Sequence, residues 1–241
     1  MSARRSRSGE ARGRPAHAGG GSRLYVYALV DRKLPALKVS GRTIEAVQVG
    51  HLYAMAQRTE HAPVISEEAL REQYDVVLEL HERTAAILPA RFGSLVDYAE
   101  LTRIVTLRHA QLAAALDLVR NREQMTVRLI GSAATPDAAD RRVPAGAARP
   151  GTRYLEERRA AAGYPLPEAA ARLTAAVRSL IVADKAEPGE GNVRGILHHL
   201  IERRSSAAYC RALALAASDV DFPVKVTGPW PPFAFVPELL G

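Results

Sequence analysis

Strand-like and helix-like segments alternate in two blocks, separated by a stretch rich in alanine, arginine and proline, and this order constrains the fold of the chain. The first block opens with residues 24–30, LYVYALV, whose aromatic and β-branched side chains predict a buried strand. Residues 43–49 and 50–58 predict two further extended segments. The first block therefore starts as a small sheet.

Two helices are predicted after these strands. Ser66 is placed to cap the first helix, whose apolar residues recur at helical spacing as far as Ala86. Asp97 is placed to cap the second, and an apolar stripe continues from it to Val119. The apolar segment between the helices, residues 87–96, is predicted to return as a strand through the core.

Residues 125–129 alternate apolar and polar side chains and are predicted as the strand that closes the first block, or first half, of the chain. The second block begins beyond a proline-rich stretch. Residues 132–151 carry three prolines, which indicates an exposed linker. A helix starts at Thr152, is interrupted by two prolines, and resumes its period as far as Ile181. A β-α-β unit is predicted from residues 193–201, 206–217 and 224–227.

The predicted fold class is α+β, with helices packed on small, mostly antiparallel sheets in two domains. Only 5% of the residues are aromatic beside 47% hydrophobic residues, which favours helices on a modest sheet over an all-β core. We divide the chain into a disordered tail at residues 1–22, an N-terminal domain at residues 23–131, the linker at residues 132–151, and a helical segment with a C-terminal domain at residues 152–241.

Positive charge is concentrated in the tail. The chain carries a formal charge of +7, and residues 1–23 hold six arginines against one glutamate, a net +5 that leaves +2 for the rest. A segment rich in Arg, Ser and Gly cannot bury enough surface to offset its ordering entropy, so we expect it to be disordered. A basic-tailed nucleic-acid-binding protein is the alternative function, but it would need a basic patch on the folded body.

The sequence also bears on compartment. No apolar run approaches the ~18–20 residues that a bilayer-spanning helix needs, and the N-terminal tail lacks the apolar stretch of a signal peptide. We therefore expect a cytoplasmic protein that does not enter the membrane. Cys210 is the single cysteine, so no internal disulfide is possible.

No residue pattern predicts an active site. His198 and His199 are adjacent, and a strand would send their rings to opposite faces. The remaining histidines lack the HExxH or cysteine-paired spacing of a zinc site. Gly189, Gly191 and Gly195 fit neither the dinucleotide-binding nor the P-loop spacing. We therefore expect a protein that is not an enzyme and that binds no cofactor and no metal.

Two short segments are specific enough to carry a family resemblance. Residues 88–94 read LPARFGS, and residues 227–233 read TGPWPPF. They resemble the LPxRFG[ST] segment and the TGPWPPY[SN]F ending of the GvpF/GvpL family of gas vesicle proteins. The resemblance covers most of residues 23–236. Supporting matches are YVYALV, EQMTVR and GTRYL, at residues 25–30, 123–128 and 151–155.

The chemistry of each residue in the first segment predicts a structural role. Pro89 fixes φ and breaks the preceding helix. Phe92 can fill the core, and Gly93 permits a close backbone approach or a bulge. Arg91 either ties a helix end or loop carbonyls with its guanidinium, or contacts a partner.

The second segment combines a glycine, prolines and two aromatic rings. Gly228 can take a positive φ after the strand. Trp230 and Phe233 either fold back onto the sheet or form an exposed hydrophobic contact. Prolines stiffen an extended tail that presents these rings, at Pro229, Pro231 and Pro232.

The resemblance implies an α+β protein of two domains, the C-terminal one ferredoxin-like, that binds the hydrophobic shell protein GvpA and other accessory proteins during gas vesicle nucleation or growth. It implies no catalysis and no cofactor. Shell subunits expose apolar surface before they assemble, and a partner that covers this surface would prevent aggregation. The chain departs from the family at its arginine-rich tail and at Pro165 and Pro167, which break a helix that relatives commonly run without interruption.

Overall fold

The computed structural model describes residues 23–131, 168–220 and 222–237. Within these ranges the chain forms five α-helices and two antiparallel sheets, so the expected α+β class is confirmed. The predicted tail at residues 1–22, the predicted linker at residues 132–151 and the interrupted start of the following helix lie outside the described residues. The division of the chain into domains at these boundaries stays a prediction.

The first sheet has the strand order β2-β3-β4-β1-β5, and β6 also pairs with β1. Its strands are β1 (Arg23–Val30), β2 (Leu37–Val39), β3 (Arg42–Val49), β4 (Leu52–Thr59), β5 (Ile87–Pro89) and β6 (Leu95–Val96). β1 is buried along its length from Leu24 to Val30, because core clusters cover both faces of the sheet. A near-continuous apolar run is the composition that such a strand requires.

Three helices accompany this sheet. They are α1 (Glu67–Arg83), α2 (Tyr98–Leu107) and α3 (His109–Val119). Ser66 caps α1 by accepting a hydrogen bond from the Ala69 N–H, and Asp97 caps α2 by accepting one from the Glu100 N–H, as the sequence predicted. α1 packs on the face of β1 that carries Tyr25, while α2 and α3 pack on the opposite face.

The second predicted helix is in fact two helices. Arg108 leaves the helical region, with φ −112° and ψ 20°, although its N–H still donates to the Ile104 carbonyl at 3.1 Å. The break allows Leu101 and Val105 before it and Leu112 after it to reach one core cluster. No glycine or proline marks this position, so local sequence gave no sign of it.

The strand predicted over residues 87–96 is also wrong as a continuous element. α1 ends at Arg83, three residues before its predicted end at Ala86. β5 and β6 then pair with two separate stretches of β1, and a turn closed by the Ser94 N–H on the Arg91 carbonyl at 3.3 Å lies between them. β4 pairs with one edge of β1, so β5 and β6 both pair with its other edge.

The second sheet has the order β10-β7-β9-β8. Among the described residues, its elements along the chain are β7 (Arg122–Ile130), α4 (Glu168–Ala176), β8 (Ile181–Pro188), β9 (Val193–Glu202), α5 (Ser206–Ala217) and β10 (Val224–Trp230). The two helices pack on one face, around Leu173 and Leu213. The element order β-α-β-β-α-β is the order of a ferredoxin-like unit, although the ferredoxin-like assignment itself stays a prediction.

Two expectations about this half are corrected. The strand at residues 125–129 was expected to close the first half, but β7 pairs with β9 and β10 and lies inside the second sheet. The helical period was expected to continue through Ile181, but β8 begins there, because Ile181 pairs with Ile201 of β9. The other face of the second sheet contacts the first half, since Leu200 lies in the core cluster formed around the first sheet.

Candidate functional site

The two signature segments meet where the two sheets adjoin. A cavity of about 360 Å³ opens there, and Pro89 and Arg91 of the first segment line it together with Phe233 of the second. The edge strand β8 contributes Lys185 and Glu187 to the same lining. Sequence reasoning singled out both segments but did not predict that they share one site.

Tyr25 and Gln73 hold the first segment in place. The Tyr25 hydroxyl donates to Gln73 Oε1 and accepts the Gly93 N–H at 3.2 Å, while Gln73 Nε2 donates to the Ala90 carbonyl at 3.1 Å. Burial raises the pKa of Tyr25, which keeps the hydroxyl protonated as a donor. Gly93 has φ +87° with open space beside it, so it serves the turn through its backbone angle.

Two of the expected roles in the first segment change, those of Pro89 and Phe92. Pro89 does not end the helix, which stops six residues earlier at Arg83; it is buried in the edge strand β5, where a missing N–H is tolerated. Phe92 is half-buried at the core margin, with its ring centroid 6.4 Å from that of Tyr25 in an edge-to-face contact. Arg91 is exposed at the cavity mouth.

A different arginine ties the end of α1. Arg203, in the turn after β9, donates through Nη2 to the His81 carbonyl at 2.7 Å and to the Thr84 carbonyl at 2.9 Å. The same nitrogen lies 3.0 Å from His81 Nδ1, and burial together with the Arg203 charge lowers the pKa of His81 to about 4. Arg203 therefore fixes the second half against α1. In the sequence, Arg203 and Arg204 are adjacent after a strand, a pattern typical of exposed surface charge, so the sequence did not indicate this role.

The second segment leaves β10 through a bulge between Thr227 and Trp230. Gly228 has φ +125°, and a Cβ there would lie 2.8 Å from the Gln124 carbonyl oxygen and 3.0 Å from Met125 Sδ. Only glycine fits this position without strain. The Gly228–Pro229 peptide bond is cis.

The chain beyond the bulge is not the extended tail that its prolines suggested. Pro231 and Pro232 are buried, and a 3₁₀ turn follows at Phe233–Phe235. Phe235 enters the core with 4% exposure. The turn is held at Ala234, whose N–H donates to Gln124 Oε1 at 2.8 Å and whose carbonyl accepts the Lys185 ammonium at 2.7 Å.

The two aromatic rings of the segment pack around Tyr74 of α1. Trp230 lies edge-to-face with Tyr74 at 5.8 Å between centroids, and Phe233 stacks on it at 6.3 Å. The indole N–H donates to Thr227 Oγ1 at 3.3 Å. Trp230 therefore folds back onto its own strand through Thr227 and also contacts the other half through Tyr74. Phe233 remains 40% exposed.

The sheet face behind the cavity carries a polar cluster. His198 Nδ1 lies 3.2 Å from Gln124 Nε2 and 3.2 Å from Thr126 Oγ1, and its Nε2 lies 3.5 Å from Glu187. Burial lowers the pKa of His198, so its neutral ring accepts at Nδ1. His199 points to the opposite face, as predicted, where Nδ1 lies 2.6 Å from the Tyr209 hydroxyl.

The arrangement has the features of a binding surface. It offers aromatic rings, a cavity and cationic side chains, all held by hydrogen bonds from both halves. Among the residues that the structure describes, no group of three or more His, Cys, Asp or Glu side chains could hold a metal ion. In the same part of the chain, no helix has both the length and the apolar character to cross a membrane.

Comparison with known proteins gives consistent results. The model of the family "Gas vesicle synthesis protein GvpL/GvpF" matches residues 23–237. Two crystal structures of the gas vesicle protein GvpF, from Anabaena sp. PCC7120 and from Microcystis aeruginosa, each superpose with a TM-score of 0.67 at 13% identity. The matches cover 90% and 89% of this chain, respectively, and 98% of each of the two crystal chains. At that identity they establish a shared fold. No curated protein sequence matches the chain.

Proposed function

Because the chain belongs to the GvpL/GvpF family of gas vesicle synthesis proteins, we propose that it serves gas vesicle formation as an assembly factor that binds the shell protein GvpA and other accessory proteins. Before assembly, shell subunits carry apolar surface that aggregates unless a partner covers it. The chain would act without catalysis, in the cytoplasm and at growing gas vesicles.

The observation that carries this proposal is the surface at the junction of the two halves. We call it the signature surface and define it by Tyr74, Arg91, Trp230 and Phe233. Its three aromatic rings are in contact, with Trp230 edge-to-face and Phe233 stacked on Tyr74, and they are partly exposed. Aromatic and arginine side chains in fixed positions are the residues that most often dominate protein–protein contacts.

The signature surface is also preorganised. Arg203 fixes α1 on one side, and the Gln124 and Lys185 contacts fix the 3₁₀ turn on the other. A surface that does not have to be ordered on binding loses less entropy in the complex. The family signature therefore coincides with a rigid, partly apolar surface, which is what a shell-binding factor needs.

A pull-down tests the proposal. The tagged full chain is co-expressed with GvpA and the other accessory proteins, and capture is compared between Phe233→Ser and Leu215→Ser. Both positions expose an apolar side chain, at 40% and 76% respectively, but Leu215 lies on α5, outside the signature surface. We expect Phe233→Ser to reduce capture and Leu215→Ser to leave it unchanged.

Two outcomes of this pull-down contradict the proposal. If the wild-type chain captures no more GvpA or accessory protein than an unrelated α+β protein does, the assembly role by direct binding is wrong. If Leu215→Ser reduces capture as much as Phe233→Ser does, the binding surface lies elsewhere.

A further inference from the structure

A row of exposed apolar side chains leads from the start of α1 to the signature surface. Val64 and Ile65, just before the helix, are 85% and 77% exposed, and Leu70 is 46% exposed. Ile65 and Leu70 hold the two positions around an N-cap whose side chains adjoin. Leu70 and Tyr74 are four residues apart and so lie on one side of α1, and Phe233 stacks on the Tyr74 ring. We call Ile65, Leu70, Tyr74 and Phe233 the α1 stripe.

The α1 stripe is long enough for a helix to lie along it. Ile65 and Tyr74 are nine residues apart, about 13 Å at 1.5 Å per helical residue, and the Phe233 ring extends this length. Single exposed apolar residues are common on protein surfaces, whereas a contiguous row is typical of a contact site. The backbone groups inside α1 are hydrogen-bonded within the helix, so a strand could not pair with them. A second helix, packed about 8–10 Å away, is the element that covers such a row.

Acidic side chains line a shallow hollow beside the stripe, on the exposed side of α1. The lining consists of Arg71 and four carboxylates, those of Glu67, Glu68, Glu72 and Asp75. Glu67 pairs with Arg71 at 2.9 Å, and Glu72 accepts from Arg42 Nε at 3.1 Å. Glu68 and Asp75 form no ion pair with any residue that the structure describes. The hollow therefore presents negative charge that its own arginines do not neutralise.

The charge of α1 is opposite in sign to that of the chain. Residues 67–83 hold six carboxylates against two arginines, a net −4, whereas the whole chain carries +7. A helix packed on the stripe would set its own flanking side chains against these acids. Lysine or arginine there would be attracted, and aspartate or glutamate would meet like charge. Arg91 of the signature surface lines the cavity and not this hollow.

We propose that the α1 stripe docks an amphipathic helix of a partner protein, one whose apolar face is bordered by lysines or arginines. The inference rests on the proposed function, since the partner would be a protein of gas vesicle formation. It adds the chemistry of recognition and extends the binding surface along α1. The chain's own arginine-rich residues 1–22 do not match this description, because they contain no Leu, Ile, Val, Phe, Tyr or Trp.

Fluorescence anisotropy with labelled helical peptides tests the inference on the full chain. The first probe carries leucines on one face and lysines on the other; glutamates replace the lysines in the second probe, and serines replace the leucines in the third. We expect the first probe to bind and the other two to bind at least about tenfold more weakly. The net charge of +7 would by itself favour the glutamate probe, so a preference for lysine has to come from a local acidic site. Equal binding of the first probe and either of the others, or no binding of the first, overturns the proposal.

Matched substitutions locate the site. Ile65→Ser should weaken binding of the first probe about tenfold, whereas Leu107→Ser, at a similarly exposed position on α2, should leave it unchanged. Glu68→Lys should weaken binding about fivefold and Glu100→Lys should not. Both carboxylates are exposed in the first turn of a helix, so both variants lose the same interaction with the helix dipole. If either variant binds the probe as its control does, and thermal melts show that both are folded, the α1 stripe is not the site.

Two further measurements separate the occupant from the proposed function. Sedimentation velocity should show a monomer; a dimer that Ile65→Ser dissociates would make a second copy the occupant and overturn the proposal. In the pull-down, capture of a gas vesicle protein that Ile65→Ser leaves unchanged would refute docking on the stripe and leave the assembly role in place. Probe binding by a chain that captures no gas vesicle protein would refute the assembly role and leave the helix site in place.

Discussion

Replacing Arg203 by alanine tests how the two halves are joined. The substitution removes the donors to the His81 and Thr84 carbonyls and leaves these groups unsatisfied at the junction. It also removes the positive charge that lowers the pKa of the buried Glu123 carboxyl against the effect of its burial. Each buried acceptor that loses a charged donor costs about 1–3 kcal/mol, and two carbonyl oxygens lose their donor here.

Folding of the wild-type chain removes part of the water around the half-buried Arg203 guanidinium, and this cost offsets part of the gain from its hydrogen bonds. We therefore expect Arg203→Ala to lower the free energy of unfolding by about 2–4 kcal/mol. Urea denaturation followed by circular dichroism measures it. Arg204→Ala is the matched control, since Arg204 is the exposed neighbour and has the same side chain. If the two variants unfold within about 0.5 kcal/mol of each other, Arg203 does not join the halves.

Three further predictions concern stability. Gly228→Ala should lose about 2 kcal/mol or more, because a Cβ at φ +125° meets the Gln124 carbonyl oxygen at 2.8 Å; an unchanged urea midpoint would show that the bulge relaxes freely. Trp230→Ala should lower the melting temperature by removing a ring that bridges both halves, at a cost of about 3 kcal/mol, and a wild-type melt would mean that the ring acts only in partner binding. Burial is the main cause that lowers the pKa of His81 and of His199 to about 4. The unfolded chain therefore binds more protons than the folded chain between pH 6.5 and 4, and the free energy of unfolding should fall as pH falls through that window, by up to about 3 kcal/mol for each ring. A urea midpoint that does not change over this pH range would contradict the buried, neutral state of the two rings.

Features decided by neighbours along the chain could be predicted from sequence. Ser66 and Asp97 cap their helices because an N-cap depends on residues three positions away. The strand at residues 24–30 follows from its own apolar run. The break at Arg108 could not be predicted, because it serves packing against a sheet formed by distant residues.

Features decided by pairing between distant segments escaped prediction. β7 has the alternation of any half-buried strand, and only its pairing with β9 assigns it to the second sheet. Arg203 ties the end of α1, and its sequence context gave no sign of this, because position in three dimensions and not residue type decides which arginine reaches the helix end. Both signature segments were found from sequence, while the cavity that they share depends on how the halves pack.

The central claim is that the two signature segments form one binding surface that gas vesicle formation requires. Flotation of cells that lack their own copy of this protein tests it directly, with a chain carrying Arg91→Glu and Phe233→Ser compared against a chain carrying Arg103→Glu and Leu215→Ser. At equal amounts of folded protein, we expect the second chain to restore flotation and the first to fail. Restoration by both chains would contradict the claim.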